Sequence, residues 1–217
     1  MKETFLPNHK DYKIYQDDGM IGINTDTMLL GEFVEVYKED TVLDFGTNTG
    51  ALLLYASMFK PKKLIGVDIN KQALDLAKMN MEVNNITNYE LICNDITTYK
   101  SDEVDVIICN PPYFKTSDDN KSENNALNLA KHEDSLTLDK LIVSIRRNLK
   151  NYGTLFMLFQ TSRMQEVFTE LTKNKFRIKE IKLCYDENKE SSNVFLLKAV
   201  KGGSYGVVAK KPVIIKH

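Results

Sequence analysis

The chain has 217 residues, a formal net charge of −1 and a hydrophobic fraction of 42%, which together are typical of one soluble globular domain, residues 1–217. No apolar run approaches the roughly 20 residues that a membrane-spanning helix needs, and the start MKETFLPNHK lacks the apolar stretch of a signal peptide. The three cysteines are far apart and none belongs to a CxxC pair, which argues against disulfides and a cysteine-based zinc site. We therefore expect a reduced, cytoplasmic protein in which Cys93 and Cys109, both within apolar runs, are small core residues.

The near-neutral total hides an uneven distribution of charge. Residues 141–217 contain 15 Lys/Arg and 6 Asp/Glu, about +9, so that residues 1–140 carry about −10. A basic half beside an acidic half favours a polyanionic partner, although ordinary solvated faces explain it equally well.

In chain order, the first predicted element is an amphipathic helix over 28–36, with an N-cap at Thr25 or Asp26. Seven runs of β-branched and apolar residues then predict strands at 41–45, 63–69, 89–95, 104–110, 153–159, 176–185 and 194–200. Stretches with helical spacing, 50–59 and 71–84, separate the early strands, which indicates a parallel sheet covered on both faces. Only the short polar segment 186–193 separates the last two, which suits an antiparallel hairpin. The predicted fold is α/β: a Rossmann-like, doubly wound seven-stranded sheet, mostly parallel, with a C-terminal antiparallel hairpin.

Polar residues follow the first four predicted strands. The first strand leads into DFGTNTG (44–50) and a helix, the second ends at Asp68, the third at Asn94 and Asp95, and the fourth at Asn110. Ligands of doubly wound sheets bind outside the carboxyl ends of the strands, and an acidic residue about 20 positions after a glycine turn binds ribose hydroxyls there.

The glycine turn does not fit a dinucleotide. It lacks the GxGxxG pattern, and the chain has no GxxxxGK[ST] phosphate loop. The Asp44 carboxylate would repel a pyrophosphate but would suit a cationic ligand. S-adenosylmethionine has a sulfonium and an ammonium and no phosphate, so the charge favours it and leaves an NAD-dependent dehydrogenase as the weakest enzymatic alternative.

The stretch CNPPYF (109–114) ends the fourth strand. Two prolines stop a helix or a ladder and bias the preceding residue towards extended geometry, so that Asn110 is held stiffly. Taken alone, the stretch fits a strand-ending turn with two aromatic residues over a core edge. The polar segment 115–128 follows it and is predicted to be a mobile loop.

Together, DFGTNTG, GVDIN, ND and NPPY resemble the class I S-adenosylmethionine-dependent methyltransferases, in the branch with an (N/D)PP(Y/F) motif. The resemblance implies a loop of Gly46, Asn48 and Gly50 under the methionine part of S-adenosyl-L-methionine. It also implies that Asp68 binds the ribose and that Asp95 and Ile96 flank the adenine. The family usually has glycine where Asn48 stands, but asparagine tolerates positive φ. The candidate cofactor-binding residues are Thr25, Asp44, Gly46, Asn48, Gly50, Asp68, Ile69, Asp95, Ile96 and Asn110.

The same branch methylates amines attached to planar groups, such as the exocyclic nitrogen of adenine or a glutamine amide. The Asn110 amide oxygen and the Pro111 carbonyl can accept both N–H bonds of such a nitrogen and stabilise its developing positive charge. Tyr113 offers a ring for stacking, worth about 1–3 kcal/mol per base. The candidate catalytic residues are Asn110, Pro111, Pro112 and Tyr113, in a direct in-line transfer without a covalent enzyme intermediate or a metal. Phe114 fits an extruded base or a core lid equally, and His132-Glu133 is interpreted as structural or substrate-positioning, because no second histidine stands at ligand spacing.

Two stretches of the N-terminal segment, Tyr15-Gln16 and residues 21–30 (IGINTDTMLL), narrow the resemblance. They are similar to the bacterial tRNA1(Val) adenine-N6 methyltransferase family, which modifies adenosine 37 beside the anticodon. This implies a tRNA substrate and an N-terminal segment, 1–40, that covers the cofactor. The lysines that would then suit phosphate contacts are Lys198, Lys201, Lys210 and Lys211.

Three alternatives stay open. A release-factor glutamine methyltransferase also carries NPPY, but it has an additional N-terminal helical domain, and only about 40 residues precede the first strand of this sheet. A DNA adenine methyltransferase normally needs a target-recognition region, which is not visible. A non-catalytic binding module that has kept the fold is the third. The oligomeric state is open, with a monomer slightly favoured.

Overall fold

The structure is a computed structural model that describes residues 1–17, 22–111 and 136–216. Its strands are β1 (Lys2–Leu6), β2 (His9–Gln16), β3 (Thr41–Phe45), β4 (Lys63–Asp68), β5 (Tyr89–Cys93), β6 (Val104–Cys109), β7 (Leu149–Gln160), β8 (Phe176–Asp186), β9 (Val194–Lys201), β10 (Val208–Ala209) and β11 (Val213–Ile215). Its helices are α1 (Thr25–Gly31), α2 (Ala51–Ser57), α3 (Lys71–Val83), α4 (Leu138–Asn148) and α5 (Met164–Lys173), with a 3₁₀ turn at Thr161–Arg163.

One twisted sheet carries the fold. Its strand order is β10-β8-β9-β7-β6-β3-β4-β5, and β11 also pairs with β8. The seven predicted strands and the antiparallel hairpin of β8 and β9 are confirmed. Over residues 1–17, 22–111 and 136–216 the sheet has nine strands, because β10 and β11, of two and three residues, extend the outer edge parallel to β8. Strands this short carry too few residues for a pattern to predict them.

The strand order reverses between β3 and β6. From β3 the chain moves outwards through β4 and β5, then returns to add β6 on the other side of β3. Phe45, the last residue of β3, lies opposite both Val67 of β4 and Cys109 of β6. The residues that follow these three strands therefore emerge side by side at the reversal, which is where open α/β sheets bind their ligands.

Two hydrophobic layers cover the faces of the sheet. Val42 and Ile108 pack in the layer formed with α1 and α2, whereas their neighbours Leu43 and Ile107 pack in the layer formed with α4 and α5. This alternation follows from the period of two in a strand, and burial on both faces explains why the central strands are continuously apolar.

The start of α1 differs from the prediction. Its N-cap is Asn24, not Thr25 or Asp26, because Asn24 has extended backbone and its Oδ1 accepts the Thr27 N–H at 2.9 Å. The helix ends at Gly31, short of residue 36, and packs so closely on α2 that a Cβ at Gly31 would stand 2.2 Å from the ring of Tyr55.

The cysteines divide between core and surface. Cys109 is buried at the centre of the sheet, as predicted, whereas Cys93 is exposed and its prediction as a core residue is wrong. Cys93 ends β5, which pairs with β4 alone in the part of the chain that the structure describes. An edge strand can have an apolar sequence and still leave its last residue in contact with water. No helix within the three described ranges is both long and apolar enough to cross a membrane.

Candidate active site

The glycine turn joins β3 to α2 through three residues with positive φ. Gly46, Asn48 and Gly50 have φ of 75°, 47° and 81°. The backbone N–H groups of Gly46 and Thr47 donate to the carbonyl of Val67 at 2.9 and 3.1 Å, which fixes the start of the turn against β4. The prediction that Asn48 adopts positive φ in place of glycine is confirmed, since asparagine is the non-glycine residue best suited to it.

The two glycines of the turn face different surroundings. A Cβ at Gly46 would meet no atom of the described ranges within 4 Å, whereas a Cβ at Gly50 would lie 3.2 Å from Ala77 and 3.3 Å from the Met81 methyl group of α3. Gly46 thus presents open space to a ligand, and Gly50 allows α3 to pack closely beneath the turn.

Asp44 lies fully buried under this turn. The Thr47 hydroxyl donates to its Oδ2 at 2.7 Å, and its Oδ1 has no hydrogen-bond partner among the described residues. Burial raises the pKa of Asp44 to about 7; the Thr47 hydrogen bond opposes this rise, and the charge of Asp68 adds to it. A buried carboxylate oxygen without a partner is costly, and a cationic group would satisfy it.

Asp68 ties the end of β4 to two neighbouring loops. Its Oδ2 accepts the backbone N–H of Asn48 and its Oδ1 accepts that of Asn70, both at 2.8 Å. Asn70 in turn caps α3 by accepting the N–H groups of its first turn. The carboxylate is therefore oriented before any ligand arrives, and each oxygen retains a lone pair for a further donor. Ile69, next in the chain, is 46% exposed.

Asp95 follows the end of β5 and shapes its own loop. Its Oδ1 accepts the N–H and the hydroxyl of Thr97, both at 2.7 Å. Arg147 of α4 fixes the same loop by donating from Nη2 to the carbonyls of Thr97 and Tyr99 at 2.8 Å. Ile96, between Asp95 and Thr97 in the chain, is half-buried against the hydrophobic layer that contains α4.

Asn110 stands directly after β6 and is half-buried, and Pro111 is buried. Because Cys109 lies opposite Phe45, Asn110 and Gly46 emerge from neighbouring strands, which are about 4.8 Å apart in a sheet. Pro112, Tyr113, Phe114, the segment 115–128 and His132-Glu133 lie outside the described residues.

The structure groups the predicted residues unequally. Five come from the adjacent ends of β3, β4 and β6, namely Asp44, Gly46, Asn48, Asp68 and Asn110. Asp95 and Ile96 come from the next strand along, β5, whose Cys93 lies opposite Asp68. Thr25 is the exposed first residue of α1 and follows a segment in which Gln16 Oε1 accepts the Ile23 N–H at 2.8 Å.

Sequence reasoning overlooked two of the residues that support the turn. Thr47 holds the buried Asp44, and Asn80 of α3 donates to the Thr49 carbonyl at 2.9 Å. A signal for Asn80 was present: it lies three positions after Ala77 and one before Met81, on the apolar face of a helix where a buried amide is unusual.

Two of the four candidate phosphate-binding lysines make extensive contacts within the chain. Lys198 Nζ lies 2.9 Å from Glu35 and 3.6 Å from Glu180, and Lys201 Nζ donates to the carbonyls of Arg146 and Leu149. Lys210 pairs with Glu180 at 3.1 Å on the surface, and Lys211 is exposed. Within the described part of the chain, no group of three His, Cys, Asp or Glu could hold a metal ion.

A model of the methyltransferase small domain family matches residues 19–180. The chain belongs to this family. The match runs from before α1 into β8 and so includes every strand end that contributes to the site.

The sequence is similar to those of relatives that have two different names. The tRNA1(Val) (adenine(37)-N6)-methyltransferase of Pseudoalteromonas translucida is 33% identical over 75% of this chain and 69% of its own length, and that of Bacteroides thetaiotaomicron is 31% identical over 74% and 68%. A relative from Methanocaldococcus jannaschii, provisionally named a protein N5-glutamine methyltransferase, is 35% identical over 60% of this chain and 66% of its own.

Solved structures share the fold at low sequence identity. A provisionally assigned O-methyltransferase of Agrobacterium tumefaciens has a TM-score of 0.66 at 17% identity, covering 88% of this chain and 87% of its own. A ribosomal protein L11 methylase of Lactobacillus delbrueckii has a TM-score of 0.63 at 20% identity, covering 86% and 84%. Both support the Rossmann-like methyltransferase fold.

Proposed function

We propose that this chain transfers a methyl group from S-adenosyl-L-methionine to the N6 nitrogen of an adenine in tRNA, at the position beside the anticodon that its named relatives modify. The observation that carries the proposal is the register at the strand reversal. It puts the glycine turn and Asn110 on neighbouring strands, next to each other at one edge of the sheet. A methyl donor in the turn and an amine held by Asn110 would then meet there.

The residues around the glycine turn fit S-adenosyl-L-methionine. The unpartnered Oδ1 of Asp44 suits its cationic methionine end, and the open space at Gly46 admits a ligand close to the backbone. The pre-oriented Asp68 would accept the ribose hydroxyls, with Ile69, Asp95 and Ile96 around the adenine ring. When bound, S-adenosyl-L-methionine supplies an electrophilic methyl group on a sulfonium.

Asn110 and Pro111 carry the chemistry of the acceptor. An exocyclic amine is a poor nucleophile because its lone pair is delocalised into the ring. The Asn110 amide oxygen and the Pro111 carbonyl accept the two N–H bonds, draw the nitrogen towards tetrahedral geometry and stabilise its positive charge. Burial of Pro111 keeps these acceptors rigid, so that alignment, the main requirement of such a transfer, is prepared in advance. Tyr113 would stack on the base.

A second candidate function is N5-methylation of a protein glutamine. The 35% identical relative from Methanocaldococcus jannaschii favours it, and a glutamine amide presents the same planar N–H₂ group to Asn110. The two functions use the same chemistry and differ in the molecule that is bound.

Methyl transfer from labelled S-adenosyl-L-methionine distinguishes them. The purified chain is incubated with unmodified total tRNA, unmodified rRNA, DNA or release factor, and the products are hydrolysed to nucleosides or amino acids. We expect N6-methyladenosine in tRNA alone. Label in release factor would show that the substrate is a glutamine and not an adenine. Cofactor binding without methyl transfer to tRNA, rRNA, DNA or release factor would contradict both functions.

Asn110→Ala and a matched control complete the experiment. Asn110→Ala is expected to lower the rate by at least about 100-fold, the loss typical for one preorganised acceptor or donor, with an unchanged dissociation constant for tRNA. Asn151→Ala removes an exposed asparagine at the opposite, amino end of β7 and should leave the rate unchanged. Equal rates for the two variants would remove Asn110 from the chemistry.

A further inference from the structure

The outer edge of β2 is paired by side chains instead of a strand. On one side β2 pairs with β1, and on the other α3 supplies two asparagines. Asn84 accepts the Lys13 N–H at 2.9 Å and donates to the Lys13 carbonyl at 2.7 Å. Asn80 does the same for Tyr15, at 2.7 and 3.1 Å. Four residues of helix rise about 6 Å and two residues of strand about 6.6 Å, so the two amides match alternate residues of the strand.

The two asparagines differ in one hydrogen bond. The Nδ2 of Asn84 makes its remaining bond to the carbonyl of Asn80, within α3. The Nδ2 of Asn80 makes its remaining bond to the carbonyl of Thr49, within the glycine turn, and Asn80 is fully buried. Asn80 alone of this pair therefore connects β2 to the turn.

The connection continues from β2 towards α1. Gln16, the last residue of β2, accepts the Ile23 N–H, and Ile23 precedes the N-cap Asn24. A line of contacts thus runs from Thr49 through Asn80 and β2 to the start of α1. Its two ends are the glycine turn and the segment that contains Thr25.

We propose that Asn80 is a positioning residue that couples docking of the N-terminal hairpin, β1 and β2, to binding of the cofactor in the glycine turn. The inference rests on the proposed function, which assigns S-adenosyl-L-methionine to that turn. The Thr49 carbonyl belongs to the peptide unit that precedes Gly50, whose φ is 81°. Without its donor, this buried carbonyl would seek another partner and the turn would relax away from its ligand-binding shape. Coupling of this kind is reciprocal, so a bound cofactor should also tighten the hairpin.

Asn80→Ala and Asn84→Ala form a matched pair for the test. Both remove the clamp on one residue of β2, and only Asn80→Ala removes the bond to the turn. We expect isothermal titration with S-adenosyl-L-methionine to give a dissociation constant about tenfold higher for Asn80→Ala, the loss expected for one buried hydrogen bond, and within about twofold of wild type for Asn84→Ala. The KM for the cofactor should rise in proportion, and kcat at saturating cofactor should change little. Equal dissociation constants in two folded variants would overturn the inference.

Hydrogen exchange of the wild-type chain tests the coupling without any variant, and so decides the matter if Asn80→Ala does not fold. S-adenosyl-L-methionine should slow exchange of the Tyr15 amide, which donates to Asn80, more than that of the Lys13 amide, which donates to Asn84. Equal effects on the two amides would overturn the coupling while leaving cofactor binding intact. A wild-type chain that binds no S-adenosyl-L-methionine in either experiment would instead overturn the proposed function, and this inference with it.

Discussion

Asp44 places an acid with a raised pKa beneath the proposed cofactor. Burial raises its pKa from the ordinary value of 3.8 to about 7, so the folded protein holds this proton more tightly than the unfolded chain does. Its contribution to stability is therefore fully present below about pH 4 and is lost as the pH rises to about 7.

We expect Asp44→Asn to remove this pH dependence, because the amide does not titrate. In urea denaturation between pH 4.5 and 8, wild type should lose stability relative to the variant as the pH rises, by up to about 1.4 kcal/mol for each unit of pKa shift. A free-energy difference that stays constant across this range would show that Asp44 titrates normally.

Gly46 and Gly50 both have positive φ, but their substitution should have different consequences. Alanine costs about 1–2 kcal/mol at either position because of its left-handed backbone. At Gly50 the new methyl group also meets Ala77 and Met81 at 3.2 and 3.3 Å, whereas at Gly46 it enters open space.

Gly50→Ala should therefore lower the free energy of unfolding more than Gly46→Ala. Gly46→Ala should have the smaller effect on the free energy of unfolding. It should instead weaken the binding of S-adenosyl-L-methionine by more than this effect on stability explains. Thermal unfolding and cofactor titration of both variants check this. If Gly50→Ala weakened cofactor binding more than Gly46→Ala does, Gly46 would be excluded from the ligand-binding face.

The sequence predicted the conformation and position of candidate site residues where a local rule was sufficient. Positive φ at Asn48 follows from its place in a glycine turn, and the polar strand ends follow from the apolar runs before them. Cys93 and Cys109 show the limit of such rules: both end apolar strands, and only the neighbours of each strand make one exposed and the other buried. Asn80 was overlooked because its partners are 31 and 65 residues away in the chain.

At the scale of elements, the cap of α1 is a discrete source of stability. Asn24 Oδ1 accepts both the N–H and the hydroxyl of Thr27, at 2.9 and 3.0 Å. We expect Asn24→Ala to lower the free energy of unfolding by about 1 kcal/mol and Asn24→Asp to have little effect, because aspartate caps equally well. Chemical denaturation measures both. Equal losses in the two variants would mean that the amide nitrogen, and not the capping oxygen, matters.

The N-terminal hairpin was not predicted, and its composition explains why. Of the eight residues of β2, HKDYKIYQ, only Ile14 is buried, and charged side chains interrupt the alternation. Its stability comes from contacts across the chain, such as the Tyr55 hydroxyl on the Pro7 carbonyl at 2.9 Å and the two asparagines of α3. The central strands are buried on both faces and therefore show in the sequence as continuous apolar runs.

At the scale of the whole molecule, the excess of positive charge in residues 141–217 is partly neutralised within the fold. Lys201 Nζ binds two main-chain carbonyls at the end of α4 and lies 3.6 Å from Glu103, whereas Lys211 is exposed. Lysines that bind groups of the chain itself, such as Lys201, should stabilise the fold. Exposed lysines, such as Lys211, are available to bind phosphates.

We expect Lys211→Ala to weaken tRNA binding and to reduce the slope of log affinity against log salt by about 1, with unchanged stability. Lys201→Ala should lower the free energy of unfolding by about 0.5–1.5 kcal/mol, because it removes the donor to two main-chain carbonyls at the end of α4, and should keep the salt slope. Salt titrations of tRNA binding, with denaturation curves of the same proteins, check both. An unchanged slope in Lys211→Ala would place the RNA on another surface.

The order of strands lay beyond the sequence for a physical reason. Alternating strands and helices predict a doubly wound sheet, but local patterns do not encode which strand returns to the far side of β3. That choice depends on contacts between residues more than 60 positions apart, such as Val42 with Val106. The position of the candidate site follows from this reversal, so the sequence indicated which strands end in polar residues but not which of those ends lie side by side.

The strand order also has a consequence for biosynthesis. β9 is made after β8 but lies between β8 and β7, with seven partner pairs along β7 from Thr154 to Gln160. On the ribosome, β7 must therefore wait with one apolar edge open until residues 194–201 emerge from the exit tunnel. An open edge of this length invites pairing with other chains. Nascent chains that stall between residues 160 and 194 should accordingly aggregate or recruit chaperones. Once β9 has also emerged, it pairs with β7 and removes the open edge.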